Sequence, residues 1–264
     1  MGALHNTATL ALLGLAGFPG NSASAADWAP PATDLPGVFD GGAAGGVRVA
    51  AEHAIGLVPA FRSASRDRTE VSGVASAWVG PAVRLELGWG WLADQTAAEQ
   101  TTGPSDFRLG TGLRLLHTDA ISMGLGWGAK LPNATNEDGL GTDETDVDFG
   151  AWAGLQRGPW SGVASVGLAV LGNPLRFAAQ DDVPFATIEG AWTSGRWSVL
   201  CHADLALATS RNPARAEAGG GLRYGGRFFG EVGGTAGLTP AAADGRVLIA
   251  IGTTWALPRT PPGE

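Results

Sequence analysis

The sequence predicts an all-β chain: a transmembrane up-and-down antiparallel β-barrel of about twelve strands. Three observations predict it. Apolar residues alternate with glycine or charged residues over segments of about ten to thirteen residues. Globular strands run about five or six residues, whereas tilted membrane-crossing strands need about nine to eleven. The connections between segments alternate short and long, as periplasmic turns and outer loops do. The composition agrees: 42 glycines in 264 residues, and only 16% charged residues.

The segments fall near 45–56, 69–79, 82–92, 105–116, 119–131, 145–156, 160–171, 184–194, 196–208, 214–224, 227–238 and 246–257. Within 105–116, Phe107, Leu109, Thr111, Leu113 and Leu115 share one face, and Arg108, Gly110, Gly112, Arg114 and Leu116 the other. The 119–131 segment repeats the pattern, with Ile121, Met123, Leu125, Trp127, Ala129 and Leu131 opposite Ser122, three glycines and Lys130. A helix needs a period of 3.6, and glycines at this density would weaken it. The short connections are Gly80-Pro81, His117-Thr118, Arg157-Gly158-Pro159, a turn at Gly195 and Gly225-Gly226. The longer ones are 57–68, 93–104, 132–144, 172–183, 209–213 and 239–245.

The apolar face is expected to meet lipid and the other face a watered lumen. The lumen set includes Arg84, Glu86, Arg108, Arg114, Lys130, Asp146, Asp148, His202, Asp204, Glu217, Arg223 and Glu231. Arg48, Glu52, Glu70, Gln156, Arg196, Arg215, Arg227 and Arg246 share that phase. One charge, Glu189, falls on the lipid face, where it would cost about 2–4 kcal/mol near the midplane. Trp89, Trp91, Trp127, Trp160, Trp197 and Trp255 form the expected aromatic girdle. Glycine is expected to ease close strand approach and curvature.

Outside the barrel, residues 1–25 read as a signal peptide with an apolar Leu10–Phe18 run and an Ala23-Ser24-Ala25 cleavage site. Residues 26–44 read as a periplasmic lead or as a plug anchored by Trp28 or Phe39, 45–257 as the barrel and 258–264 as a tail. An exported barrel of this kind belongs in a bacterial outer membrane. A net charge of −8 argues against a nucleic-acid partner. The single Cys201 excludes an internal disulfide and is expected to face lipid or a neighbouring side chain.

Two resemblances follow. Gly252-Thr253-Thr254-Trp255-Ala256-Leu257 resembles the C-terminal signal read by barrel-assembly machinery, which implies that machinery and outer-membrane lipid as partners. Lys130, Leu131 and Pro132, then Gly139-Leu140-Gly141-Thr142, then Asp146-Val147 resemble the "MetA-pathway of phenol degradation" family of outer-membrane channel-like proteins. Asn133 departs from that family's threonine, and Asp143 stands where it commonly has glycine. The resemblance implies a channel for small, apolar or aromatic compounds.

No cofactor and no metal site are expected. The acidic stretch 133–148 fails the calcium-loop pattern, because Ala134 and Thr145 occupy two places where ligands are needed. A looser cation site there stays open. The function expected is passive passage of small solutes, selected by pore width and lumen charge. Two alternatives stand beside it. One is a lipase-like outer-membrane enzyme using His202 and Asp204, although no motif supplies a serine nucleophile. The other is a structural or adhesive barrel with a filled lumen. If Leu131 lies opposite Thr145, Lys130 faces Asp146 across the strands, both pointing inward.

Overall fold

In the computed structural model, residues 43–57, 66–95, 100–134, 140, 144–172, 181–209 and 213–256 are described. The signal peptide, nearly all of the lead or plug, the C-terminal tail and most of the acidic 135–143 stretch lie outside the described residues. The strands are β1 (Ala43–Leu57), β2 (Arg66–Val79), β3 (Val83–Gln95), β4 (Gln100–Pro104), β5 (Phe107–His117), β6 (Ile121–Leu131), β7 (Asp146–Arg157), β8 (Trp160–Leu171), β9 (Asp181–Ser194), β10 (Trp197–Ala206), β11 (Arg215–Gly225), β12 (Phe228–Gly237) and β13 (Gly245–Ala256).

All pairings are antiparallel; apart from β3–β5 they join sequence neighbours, and β1 closes the sheet on β13. Strand β3 pairs with β4 near its end and with β5 near its start, so β4 and β5 fill one place in the wall. The barrel is therefore twelve-stranded. Closure matters physically, because a sheet edge in hydrocarbon would leave unpaired backbone groups.

Period-two alternation sends large apolar side chains outward and polar or small ones inward. Leu85, Leu87, Leu109, Leu125, Phe149, Val166, Ile188, Ile249 and Ile251 are exposed on the outer face. Arg48, Glu52, Arg84, Lys130, Asp146, Glu217, Arg223, Glu231 and Arg246 are buried on the inner one. Gly158 (φ 58°) and Gly195 (φ 62°) sit in tight turns at one barrel end, in a backbone region that L-residues rarely adopt. An added Cβ would meet nothing within 4 Å at either, so conformation alone sets that requirement.

Three sequence expectations need correction. Residues 93–104 are not a long loop: β3 runs on to Gln95, and Gln100–Pro104 returns against Trp91–Gln95. The apolar alternation fades there because the strands have passed the apolar band, while the inward Leu92 and Asp94 keep their phase. Glu189 faces inward, since the outward neighbour in β9 is Ile188, 63% exposed. Arg196 and Arg227 lie in the short turns and are exposed, so they leave the lumen set.

Candidate functional site

The candidate site is the inner face of the barrel. All twelve residues singled out for the lumen lie on inward strand positions, and they fall into distinct groups.

The first group is an ion-paired arc over β11–β13, β1 and the loop ends of β2 and β3. Arg246 lies 2.7 Å from Glu52 and 2.9 Å from Glu217. Glu217 also accepts a 2.8 Å bond from Arg215 Nε. Glu231 bridges Arg48 and Arg223, each through a 3.0 Å bond. Arg68 grips Asp94 through two bonds of 2.6 and 2.9 Å. The longer-range pairs step over a neighbouring strand. Ala250 and Gly252 of β13 underlie the Arg48–Glu231 pair, and Thr235 and Gly237 of β12 underlie Arg246–Glu217. Small residues in the intervening strand let these side chains lie flat on the wall. Buried charges need such partners, since each ion costs several kcal/mol to dehydrate.

The second group is a sparse arc over β5–β8. Gly112, Gly126, Gly150 and Gly167 stand side by side in register, flanked by Arg84 of β3 and Phe185 of β9. Large inward side chains lie over neighbouring glycines. A Cβ on Gly124 would approach within 2.6 Å of the Trp152 ring, and one on Gly128 within 2.5 Å of an Asp148 carboxylate oxygen. Arg114 stacks its guanidinium 4.0 Å from the Trp78 ring centroid. Arg84 donates to Glu86 at 2.8 Å, and Arg108 lies within electrostatic reach of Glu86 and Asp148. Further round, Ala169, Leu171, Val183, Phe185 and Ala206 make an apolar inner patch on β8–β10.

The third group closes the loop end of the β5–β6–β7 wall. Lys130 and Asp146 pair in the expected register, with Lys130 Nζ 2.7 Å from the carboxylate. Asp106, just before β5, lies 3.5 Å from the same ammonium. Its Oδ1 accepts the Asn133 and Ala134 amides at 2.8 Å each. Leu140 packs inward against Leu92 and Ala134.

His202 and Asp204 are both inward, but His202 has Glu189 and Gly219 as its cross-strand neighbours. The nearby Ser165 is hydrogen-bonded to Thr187. No group of three potential metal ligands occurs among the described residues. Cys201 is exposed on the outer face.

Sequence reasoning missed the inward Trp78 and Trp152, both less than a tenth exposed. The signal was present, because Trp78 shares the phase of Glu70, and Trp152 that of Asp146. Within the strands, tryptophan was read only as an outward residue. Trp89, Trp91, Trp127, Trp160, Trp197 and Trp255 do point outward. Trp192, Tyr224 and Phe228 join Trp160, Trp197 and Trp255 at the short-turn end, and the Trp197 and Tyr224 rings sit 4.7 Å apart.

The fold is that of known outer-membrane barrels. The COG4313 outer-membrane channel from Pseudomonas putida F1 superposes with a TM-score of 0.61 at 14% identity, over 82% of this chain and 98% of that one. The NanC porin gives 0.55 at 8% identity, over 81% and 100%. The translocator domain of the autotransporter NalP from Neisseria meningitidis gives 0.51 at 11%, over 84% and 91%. No family model matches the chain, and no curated protein matches it.

Proposed function

We propose that this chain is an outer-membrane channel for passive passage of small solutes. The observation that carries the reading is the sorting of the wall: apolar residues outside, and more than a dozen buried charged residues inside a closed twelve-stranded barrel. That sorting suits a lipid-embedded wall around a polar interior. The likeness to solved channels and porins supports it. Export through a cleaved signal peptide, a tryptophan girdle and delivery by barrel-assembly machinery belong to the same proposal. The resemblance at Lys130–Val147 adds small apolar or aromatic solutes as the class to try first.

Planar-bilayer recording tests the reading. The purified chain should conduct, and Arg108→Ala or Arg114→Ala should change the unit conductance. A barrel that inserts yet neither conducts nor takes up solute into liposomes overturns the channel. The buried pairs Arg246–Glu52 and Arg48–Glu231 favour the filled, structural barrel as second reading, and that barrel would give the silent result.

A further inference from the structure

We propose that the short-turn rim over β7–β12 is a docking surface for the headgroup of an anionic phospholipid. The inference needs the barrel to stand in a membrane and does not need it to conduct.

Arginines on consecutive hairpins carry it. Arg157 ends β7 on an outward position, directly across the hairpin from Trp160. Arg196 follows Gly195 in the turn between β9 and β10, and Arg227 follows Gly226 in the turn between β11 and β12. All three are exposed. Each hairpin lies two strands on from the last, so at about 4.8 Å per strand the steps around the rim are about 10 Å. The side chains of Arg157 and Arg196 make no hydrogen bond or ion pair among the described residues, and Arg227 touches only the Phe228 ring, 5.9 Å from its centroid. Turn chemistry favours Asn, Asp or Gly at such places, so arginine is not there to make the turn.

Height and sign give the partner its chemistry. Trp160, Trp192, Trp197, Tyr224 and Phe228 point outward on the same hairpins and mark the level where hydrocarbon gives way to headgroups. An arginine just past those rings can lay its stem on apolar surface and keep its guanidinium among the phosphates. The guanidinium fork matches phosphate in geometry as well as charge. A zwitterionic lipid brings its own cation to that phosphate and an anionic lipid does not, so the arginines favour the second. The surface is local. Among the described residues the β2–β3 turn bears no charge, and the β5–β6 turn bears Asp119. The long-loop end exposes the carboxylates of Asp67, Asp182 and Asp244 instead. The chain as a whole carries a net charge of −8 and is repelled by an anionic bilayer, so a preference for anionic lipid has to come from a local basic surface.

Native mass spectrometry of the full chain tests this, in detergent carrying equimolar dioleoyl phosphatidylglycerol and dioleoyl phosphatidylcholine. The acyl chains are identical, so only the headgroups are compared. The wild type should retain phosphatidylglycerol about fivefold over phosphatidylcholine, the ratio given by about 1 kcal/mol from one arginine near an anionic surface. Arg157→Gln, Arg196→Gln and Arg227→Gln together should bring the ratio to parity. Arg157→Lys, Arg196→Lys and Arg227→Lys together should keep most of it, which separates lost charge from altered turns. The proposal is overturned if the wild type shows no preference, a result that would leave the arginines to an acidic soluble partner. It is equally overturned if the glutamine variant prefers phosphatidylglycerol as the wild type does. Should that variant fail to fold, the single replacements are compared, and an unchanged ratio in all of them overturns the proposal. Retention of phosphatidylglycerol by a barrel that carries no current would retire the channel and keep the docking surface. Current from a barrel with no lipid preference would do the reverse.

Discussion

The ion-paired arc and the glycine arc are made by one alternating strand pattern and solve opposite problems. Across β11–β13 and β1, long charged side chains reach over small residues and satisfy one another. Arg246, Glu52, Glu217 and Arg215 form one chain, and Arg48, Glu231 and Arg223 another. Across β5–β8 the side chains are withdrawn, and the few large ones lie at the margins. The arc richest in charge is occupied with itself, and the arc poorest in side chains is lined by glycine backbone.

The largest effect expected from breaking this contrast is on the paired arc. Arg246→Met takes from Glu52 the arginine 2.7 Å away and strips one of two arginines from Glu217. The loss should be about 3–5 kcal/mol, the usual consequence of removing one member of a buried pair. Urea unfolding of the barrel in lipid vesicles, followed by gel mobility, would measure it. Adding Glu52→Gln should recover part of the loss if pairing rather than packing is the cause.

Asp106→Asn comes next, because one carboxylate there holds two backbone amides and faces Lys130. Hydrogen bonds to charged groups are worth about 1.5–3 kcal/mol, so roughly 2 kcal/mol should be lost. The loss should be local, read as faster proteolysis of the 132–145 connection with the barrel intact. An unchanged cleavage rate would remove Asp106 from the loop anchor.

The barrel was legible because alternation and turn length are properties of short windows. The Lys130–Asp146 pair was legible for the same reason, since a hairpin register can be counted from its turn. The ion pairs between β12 and β1, or β11 and β13, were not, because they join residues about 183 and 29 positions apart and depend on which strand closes on which. Glu189 was placed on the lipid face, yet it shares its phase in β9 with Val183 and Phe185, apolar residues that face inward. Lumen-facing apolar residues break the assumption that apolar means lipid. The glycine row across β5–β8 was visible only as composition, since a register across four strands is needed before its glycines become one surface.

The two smallest effects sharpen the contrast most, because they compare chemically identical substitutions two residues apart in β6. Gly124→Ala puts a methyl group within 2.6 Å of the Trp152 ring and close against the Leu113 carbonyl, so the ring or the strand must move. Overpacking of this kind costs about 1–3 kcal/mol. Gly126→Ala meets its nearest neighbour at 3.7 Å, an ordinary contact, and should change stability by less than about 0.5 kcal/mol in either direction. Alanine also relieves the entropic handicap of glycine in a strand, which pushes the second value toward stabilisation. If both variants unfold at the same urea concentration, the glycines of β6 serve strand geometry alone. If they differ as expected, Gly124 is glycine because the Trp152 ring lies over it, whereas Gly126 tolerates a side chain.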